Sequence, residues 1–319
     1  MLSAAIAEDT IHYRYRYGGL RLEASEPFAQ LREEGEKSGV AKASLSLEVV
    51  EEPPPAPDAV LFRWNGRYAL ALAAVGNRWL LTASFDCAFL IDESRHTIHC
   101  FVRNRHDPAW LDVLVRRILP RVAMRYGAVA LHAAAAAKGD RALLLLGASG
   151  AGKSTTSAAL GAAGWDVLSD DISILWDHDA PRVAPATTGI CVWEDSFAAL
   201  DLAARRSMPM PGYTGKRRFV PGNETNTAPM PVSAIVLLER SKDARNACLA
   251  PVPPVEALGC SARERIRFNP ADTTGAELRE TFAALSTVVR AVPCFRLSYP
   301  ADYGALPAIV ERLGGVLRH

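Results

Sequence analysis

The chain has 319 residues, 49% of them hydrophobic, with 36 lysines and arginines set against 35 aspartates and glutamates. That is enough for a buried core in one or two domains, and the near-zero net charge lacks the basic excess of a general nucleic-acid or membrane-surface binder. The six cysteines (Cys87, Cys100, Cys191, Cys248, Cys260 and Cys294) show no Cys-x-x-Cys pair and no zinc spacing, and read as reduced thiols.

The opening residues lack a charged segment followed by an apolar one, so no signal peptide is expected. No apolar run approaches the ~20 residues that cross a bilayer. The expectation is a soluble cytoplasmic protein with no nucleic-acid or membrane partner. Its oligomeric state is open, a homo-oligomer included.

The first hundred residues read as short strands. Residues 12–17 alternate aromatic and basic side chains and stop at Gly18-Gly19. "ASLSLEVVEE" alternates until Pro53-Pro54-Pro55 ends the ladder. Three turn signals follow, at Asn65-Gly66, Gly76-Asn77 and Asp92-Glu93-Ser94, so the expected structure is an antiparallel meander serving as scaffold or substrate dock. Asp107-Pro108 then opens a helix whose apolar positions are Leu111, Leu114, Val115, Ile118 and Val122, ending near Gly127. These residues, 1–127, form the expected N-terminal region; 128–319 form the expected catalytic domain.

From Ala128 the pattern becomes α/β. "AVALHAAAAAKGDRALLLL" reads as two apolar strands joined at Lys138-Gly139-Asp140, with His132 inside the first. A helix is expected from Ser154 to Ala163, then a strand interrupted by Asp170-Asp171. Later elements are a strand at 232–240, a helix between Gly275 and Val292, a strand "CFRLSY" and a helix over 303–317. Residues 209–231, rich in proline and glycine, read as a long irregular loop, a feature uncommon unless functional.

Gly147-Ala148-Ser149-Gly150-Ala151-Gly152-Lys153-Ser154, followed by Thr155, fits G-x-x-x-x-G-K-[ST] at every fixed position. Glycines let successive amides point at phosphate oxygens, and the helix that follows offers its positive end to the same anion. Lys153 would reach the β- and γ-phosphates of ATP or another nucleoside triphosphate, and the Ser154 hydroxyl would bind Mg²⁺. Asp170-Asp171 can hold metal or take a proton from an acceptor, or simply cap a turn. His132 is either a core histidine or a partner of those acids. Lys216, Arg217 and Arg218 form either a solvated basic turn or a clamp for a substrate carboxylate or phosphate.

The order "LHAAAAAKGDRALLLLGASGAGKSTTSAALGAAGWDVLSDDISIL" resembles the catalytic domain of HPr serine kinase/phosphorylase, whose fold is related to that of phosphoenolpyruvate carboxykinase. The resemblance covers 128–176 closely. It implies a P-loop kinase core with Asp170 as general base, Asp171 on the metal and His132 beside the base. The family's metal-binding glutamate has no clear counterpart; Glu194 in "VWEDSF" is the candidate, with Asp195 as a helix cap. In layout the whole chain looks similar to lasso-peptide tailoring kinases, which implies a Mg²⁺-dependent transfer from ATP to the C-terminal serine of a precursor peptide. A P-loop ATPase or switch module, and a small-molecule kinase, are the alternatives.

Overall fold

The computed structural model describes residues 12–65, 69–222 and 226–317. Nine strands come first: β1 (Tyr13–Tyr17), β2 (Leu20–Ala24), β3 (Arg32–Glu33), β4 (Ala43–Val50), β5 (Ala59–Asn65), β6 (Ala69–Val75), β7 (Arg78–Ala83), β8 (Cys87–Asp92) and β9 (Thr97–Val102). They form one sheet in the order β3-β1-β2-β4-β9-β8-β7-β6-β5. β5 to β9 are the expected meander. Gly76-Asn77 makes a two-residue hairpin between Val75 and Arg78, whereas Gly66 of the Asn65-Gly66 signal lies outside the described residues.

The sheet is not wholly antiparallel, however. β4 pairs in parallel with both β2 and β9. Parallel neighbours need a long connection. The chain supplies one on each side of β4: the segment around β3, and the whole meander. Turn signals reveal hairpins but carry no trace of such distant pairings.

The helical stretch runs through α1 (Ala109–Val113), a π-helical turn (Leu114–Ile118) and α2 (Leu119–Arg125). Asp107 Oδ1 accepts from the Ala109 amide at 2.9 Å, as the sequence suggests. The π turn was not legible; it adds a residue to the ring and re-aims the side chains beyond it. Leu114, Val115, Ile118 and Val122 pack into a core with Tyr17, Leu20 and Phe89 of the first sheet, and also with Ile174 and Trp176 from later in the chain. Trp176 Nε1 donates to Gly18 O at 2.8 Å across that junction.

The second sheet is built from β10 (Val129–Leu131), β11 (Ala134–Lys138), β12 (Arg141–Leu146), β13 (Asp166–Ser169), β14 (Ser173–Trp176), β15 (Arg182–Ala184), and, beyond a small third sheet, β19 (Met230–Arg240), β20 (Cys248–Pro251) and β21 (Cys294–Tyr299). Its centre, β12-β19-β21, is parallel. Between β12 and β13 lies α3 (Lys153–Ala162). The third sheet comprises β16 (Ile190–Trp193), β17 (Ser207–Pro209) and β18 (Lys216–Phe219), with α4 (Glu194–Ala199) after β16. The C-terminal helices are α5 (Pro254–Arg263), α6 (Ala276–Ala291) and α7 (Leu306–Val316).

Alternate residues of a strand face opposite sides, and β12 shows the consequence. Leu144 and Leu146 pack toward α5 and α6 with Leu285 and Val288. Leu143 and Leu145 pack toward α3 and α7 with Leu160, Ile309 and Leu313. A continuous apolar run is what a strand covered on both faces requires. The protein is therefore mixed α/β, and no described helix is long and apolar enough to cross a membrane.

Candidate functional site

At the C-terminal end of β12 the chain turns through the glycine-rich loop into α3. Gly147 could not carry a side chain: a Cβ there would lie 2.8 Å from Leu238 O on the neighbouring strand. Gly152 adopts φ +93°, and a Cβ there would lie 2.5 Å from Tyr299 Oη. Tyr299 Oη donates to Ala151 O, and Arg240 Nη1 donates to Gly150 O at 3.2 Å. The loop is thus held from the ends of β19 and β21. Neither residue was singled out in the sequence, because nothing local marks them.

Above this loop lies a cavity of about 370 Å³. Ser149, Gly150, Gly152, Lys153, Ser154 and Thr155 line it, as do His132, Asp171 and Lys216. Gly147, Ala148 and Ala151 support the loop without lining the cavity. Lys153, 7% exposed, donates from Nζ to Gly147 O at 2.6 Å and Ala148 O at 3.4 Å. Burial pulls its pKa below the usual lysine value, opposed by Glu264 and the aspartate pair. An anion in the cavity would offer that ammonium a stronger partner than the two carbonyls.

The two acids are separated by their backbone. Ser169 Oγ and Ser173 Oγ, 2.7 Å apart, pin the turn between β13 and β14, and Ser173 Oγ donates to Ala133 O at 3.1 Å. Within that turn Asp171 takes φ +78°. Asp171 lines the cavity. Asp170, 1% exposed, does not. Its Oδ2 accepts the Cys191 amide at 2.9 Å, its Oδ1 is buried without a partner, and burial pushes its pKa up. The expectation that Asp170 meets an acceptor therefore does not fit this geometry; the left-handed turn at Asp171 brings its own carboxylate to the cavity and leaves Asp170 facing inward.

His132 stands at a break between β10 and β11, not inside one strand as expected. Its amide donates to Glu264 O at 2.7 Å, which bends the chain there. The ring bridges two carboxylates, Nε2 to Asp171 Oδ1 and Nδ1 to Glu264 Oε2, both at 3.0 Å. Both nitrogens face acceptors, which favours the doubly protonated ring. The hydrogen bond to Asp171 raises the His132 pKa, burial opposing it. Burial would raise the pKa of Asp171, but the His132 bond and the Arg116 charge outweigh it and hold the carboxyl far below the usual range.

Arg116 and Glu264 escaped sequence reasoning. Arg116 projects from the π turn, 4% exposed. It donates from Nε to Asp112 Oδ1 at 3.0 Å and from Nη1 to Asp171 Oδ2 at 3.3 Å, and its Nη2 lies 2.6 Å from Cys191 Sγ. Glu264 follows α5, a helix the sequence reading left out.

The basic trio is not in a loop. "KRRF" is strand β18, paired with β16 and β17; its alternation was hidden among prolines and glycines. Of the three only Lys216 lines the cavity. Arg217 donates to Ser207 Oγ at 3.0 Å, and Arg218 is buried against Thr188 O and Met208 Sδ, so neither fits a substrate clamp. Glu194 also lies outside the cavity, beside Gly215; Asp195, expected as a cap, lines it instead. Trp193 occupies the cap position of α4.

A second, narrower cleft of about 10 Å³ opens between Asp112–Arg117 and Met210–Lys216. Asp171 and Lys216 belong to both spaces. Among the described residues no three His, Cys, Asp or Glu side chains group to hold a metal ion unaided. The cavity does present hard oxygen donors in Ser154, Asp171 and Asp195. That donor set suits Mg²⁺, which takes one or two protein oxygens and completes its shell with water and substrate phosphates.

No protein-family model matches the chain, and no curated protein matches it. Among solved structures it is similar to the HPr(Ser) kinase/phosphatase from Coxiella burnetii, at 14% identity and a TM-score of 0.31, over 59% of this chain and 95% of that one. Likeness that slight carries no chemistry over to this chain.

Proposed function

We propose that the chain is a Mg²⁺-dependent kinase that transfers the γ-phosphoryl group of ATP, or another nucleoside triphosphate, to a serine hydroxyl of a peptide or small protein. The observation that carries this is the position of Asp171, at the junction of the loop-lined cavity and the second cleft. A donor bound on one side and an acceptor on the other would meet at its carboxylate.

In this reading the loop amides and the α3 N-terminus take the phosphates as a P-loop does. Lys153 leaves the Gly147 and Ala148 carbonyls for the β- and γ-phosphates. Each oxygen of Asp171 accepts one bond, from His132 or Arg116, and keeps a lone pair for the acceptor hydroxyl. Its depressed pKa makes it a weak base. Phosphoryl transfer tolerates that, because its loose transition state needs an oriented nucleophile more than a strongly basic one. The proton passes from the hydroxyl to Asp171 as the new O–P bond forms and the bond to the leaving diphosphate breaks. Lys216 and Arg116 neutralise charge around that carboxylate. Mg²⁺, held by the phosphates with Ser154 and Asp195, would screen the donor's charge.

The acceptor is the finer part of the proposal. The lasso-peptide precursor is the particular peptide that the sequence resemblance implies. A second reading is favoured by the size of the second cleft, which holds about one water-sized group: with water as acceptor the chain is an ATPase. Incubation with ATP, Mg²⁺ and serine-containing peptides separates the two. Phosphoserine found by mass spectrometry supports the kinase; ADP formed with no phosphopeptide supports the ATPase.

A further inference from the structure

The two edges of the N-terminal sheet differ. β3, at one edge, has two residues, the short form in which edges are usually blunted. β5, at the other, has seven, "AVLFRWN", with no lysine or proline. Among the described residues no strand pairs with its outer side. Val60, Leu61 and Trp64 are 43%, 37% and 41% exposed. Pairing with β6 is irregular around Leu61 and regular over Phe62–Asn65. The regular half ends beside the second cleft: the Arg117 guanidinium lies over the Trp64 ring, 5.9 Å from its centroid, and Arg117 lines that cleft with Asp171 and Lys216.

We propose that β5 is the dock for the acceptor: an extended peptide segment adds to the sheet along Phe62–Asn65, with apolar side chains against Leu61 and Trp64, and delivers a serine past Arg117 to Asp171. This rests on the kinase reading and supplies its acceptor site. An open edge gives main-chain hydrogen bonds without demanding a sequence, and the exposed apolar side chains select among peptides. A cleft with room for one water-sized group suits such an acceptor: the hydroxyl tip enters while the rest of the peptide stays outside on the strand. Continuity from β5 through Arg117 to Asp171 favours a peptide over a second copy of the chain, which would need the edge but not the cleft.

The test uses the whole protein, Mg²⁺-ATP and a degenerate pool of dodecamer peptides, each with one serine. The best phosphorylated peptide is then compared on wild type and on Leu61→Lys/Trp64→Lys, whose ATP affinity reports an intact fold. Docking predicts a KM raised at least about tenfold, the effect of losing roughly 1.4 kcal/mol of binding, with kcat little changed. It also predicts that the peptide slows amide exchange over Phe62–Asn65 in wild type. An unchanged KM overturns the dock and leaves the kinase reading standing. A wild-type dimer that the double substitution splits, with KM unchanged, assigns the edge to a second copy and equally overturns it. No phosphopeptide from wild type overturns both.

Discussion

Replacing Arg116 with methionine should be the most destructive single change near the site that leaves the cavity walls in place. Arg116 and Asp112 are 4% and 5% exposed as side chains and bond at 3.0 Å. Methionine fills most of the volume but leaves Asp112 charged, buried and unpaired. Removing one partner of such a pair costs about 3–5 kcal/mol. With unfolding entropy near 2.1 cal/mol/K per residue, 319 residues give roughly 1.5 °C per kcal/mol, so Tm should fall by about 4–8 °C. Differential scanning calorimetry reads that shift directly. Asp112→Asn added to Arg116→Met removes the stranded charge and should recover about half of the loss. Arg116→Lys should recover little, because one ammonium cannot serve Asp112, Asp171 and Cys191 together. A fall below about 1 °C, or strict additivity of the two substitutions, would refute the idea that this cluster is held as an ion-paired unit.

Three further outcomes follow from the same geometry. Gly152→Ala should sharply weaken binding of a fluorescent ATP analogue, since its Cβ would sit 2.5 Å from Tyr299 Oη; Tyr299→Phe, which leaves 3.6 Å to the ring carbon, should restore part of it. No rescue would mean that backbone strain, not the contact, sets the cost. The His132 pKa is raised above its ordinary 6.5, so the stability its ion pairs contribute is complete below about pH 6.5 and lost as pH climbs through the folded value. The Tm gap between wild type and His132→Gln should therefore narrow from pH 6 to pH 9, and a widening gap would contradict the charged, bridging ring. Lys216→Ala should lower phosphoryl transfer with little effect on Tm, whereas Arg218→Ala should lower Tm and act on transfer only through stability; calorimetry beside the transfer assay distinguishes them.

What could be read before the structure was whatever is local in sequence. The glycine-rich loop is a run of neighbours whose spacing is itself the geometry, and the hairpins of the meander announce themselves by two-residue turns. The partners of His132 could not be read that way: Asp171 is 39 residues away and Glu264 is 132. Nor could the roles within Asp170-Asp171 be apportioned, because one left-handed residue decides which acid faces the cavity. Arg116 lay inside a stretch that reads as an ordinary amphipathic helix, and its reach depends on a π turn that side-chain periodicity conceals. The parallel placement of β4 depends on connections tens of residues long, which leave no short-range mark.

Asp171, not Asp170, is the acid proposed to meet the acceptor. Phosphoryl transfer to a serine peptide at saturating Mg²⁺-ATP, measured for Asp171→Asn and Asp170→Asn, tests it most directly. Asp171→Asn should keep its ATP affinity and lose about 10²–10⁴-fold in kcat, while Asp170→Asn, which still accepts the Cys191 amide, should stay within about tenfold of wild type. Loss of transfer in Asp170→Asn with Asp171→Asn still active would contradict it.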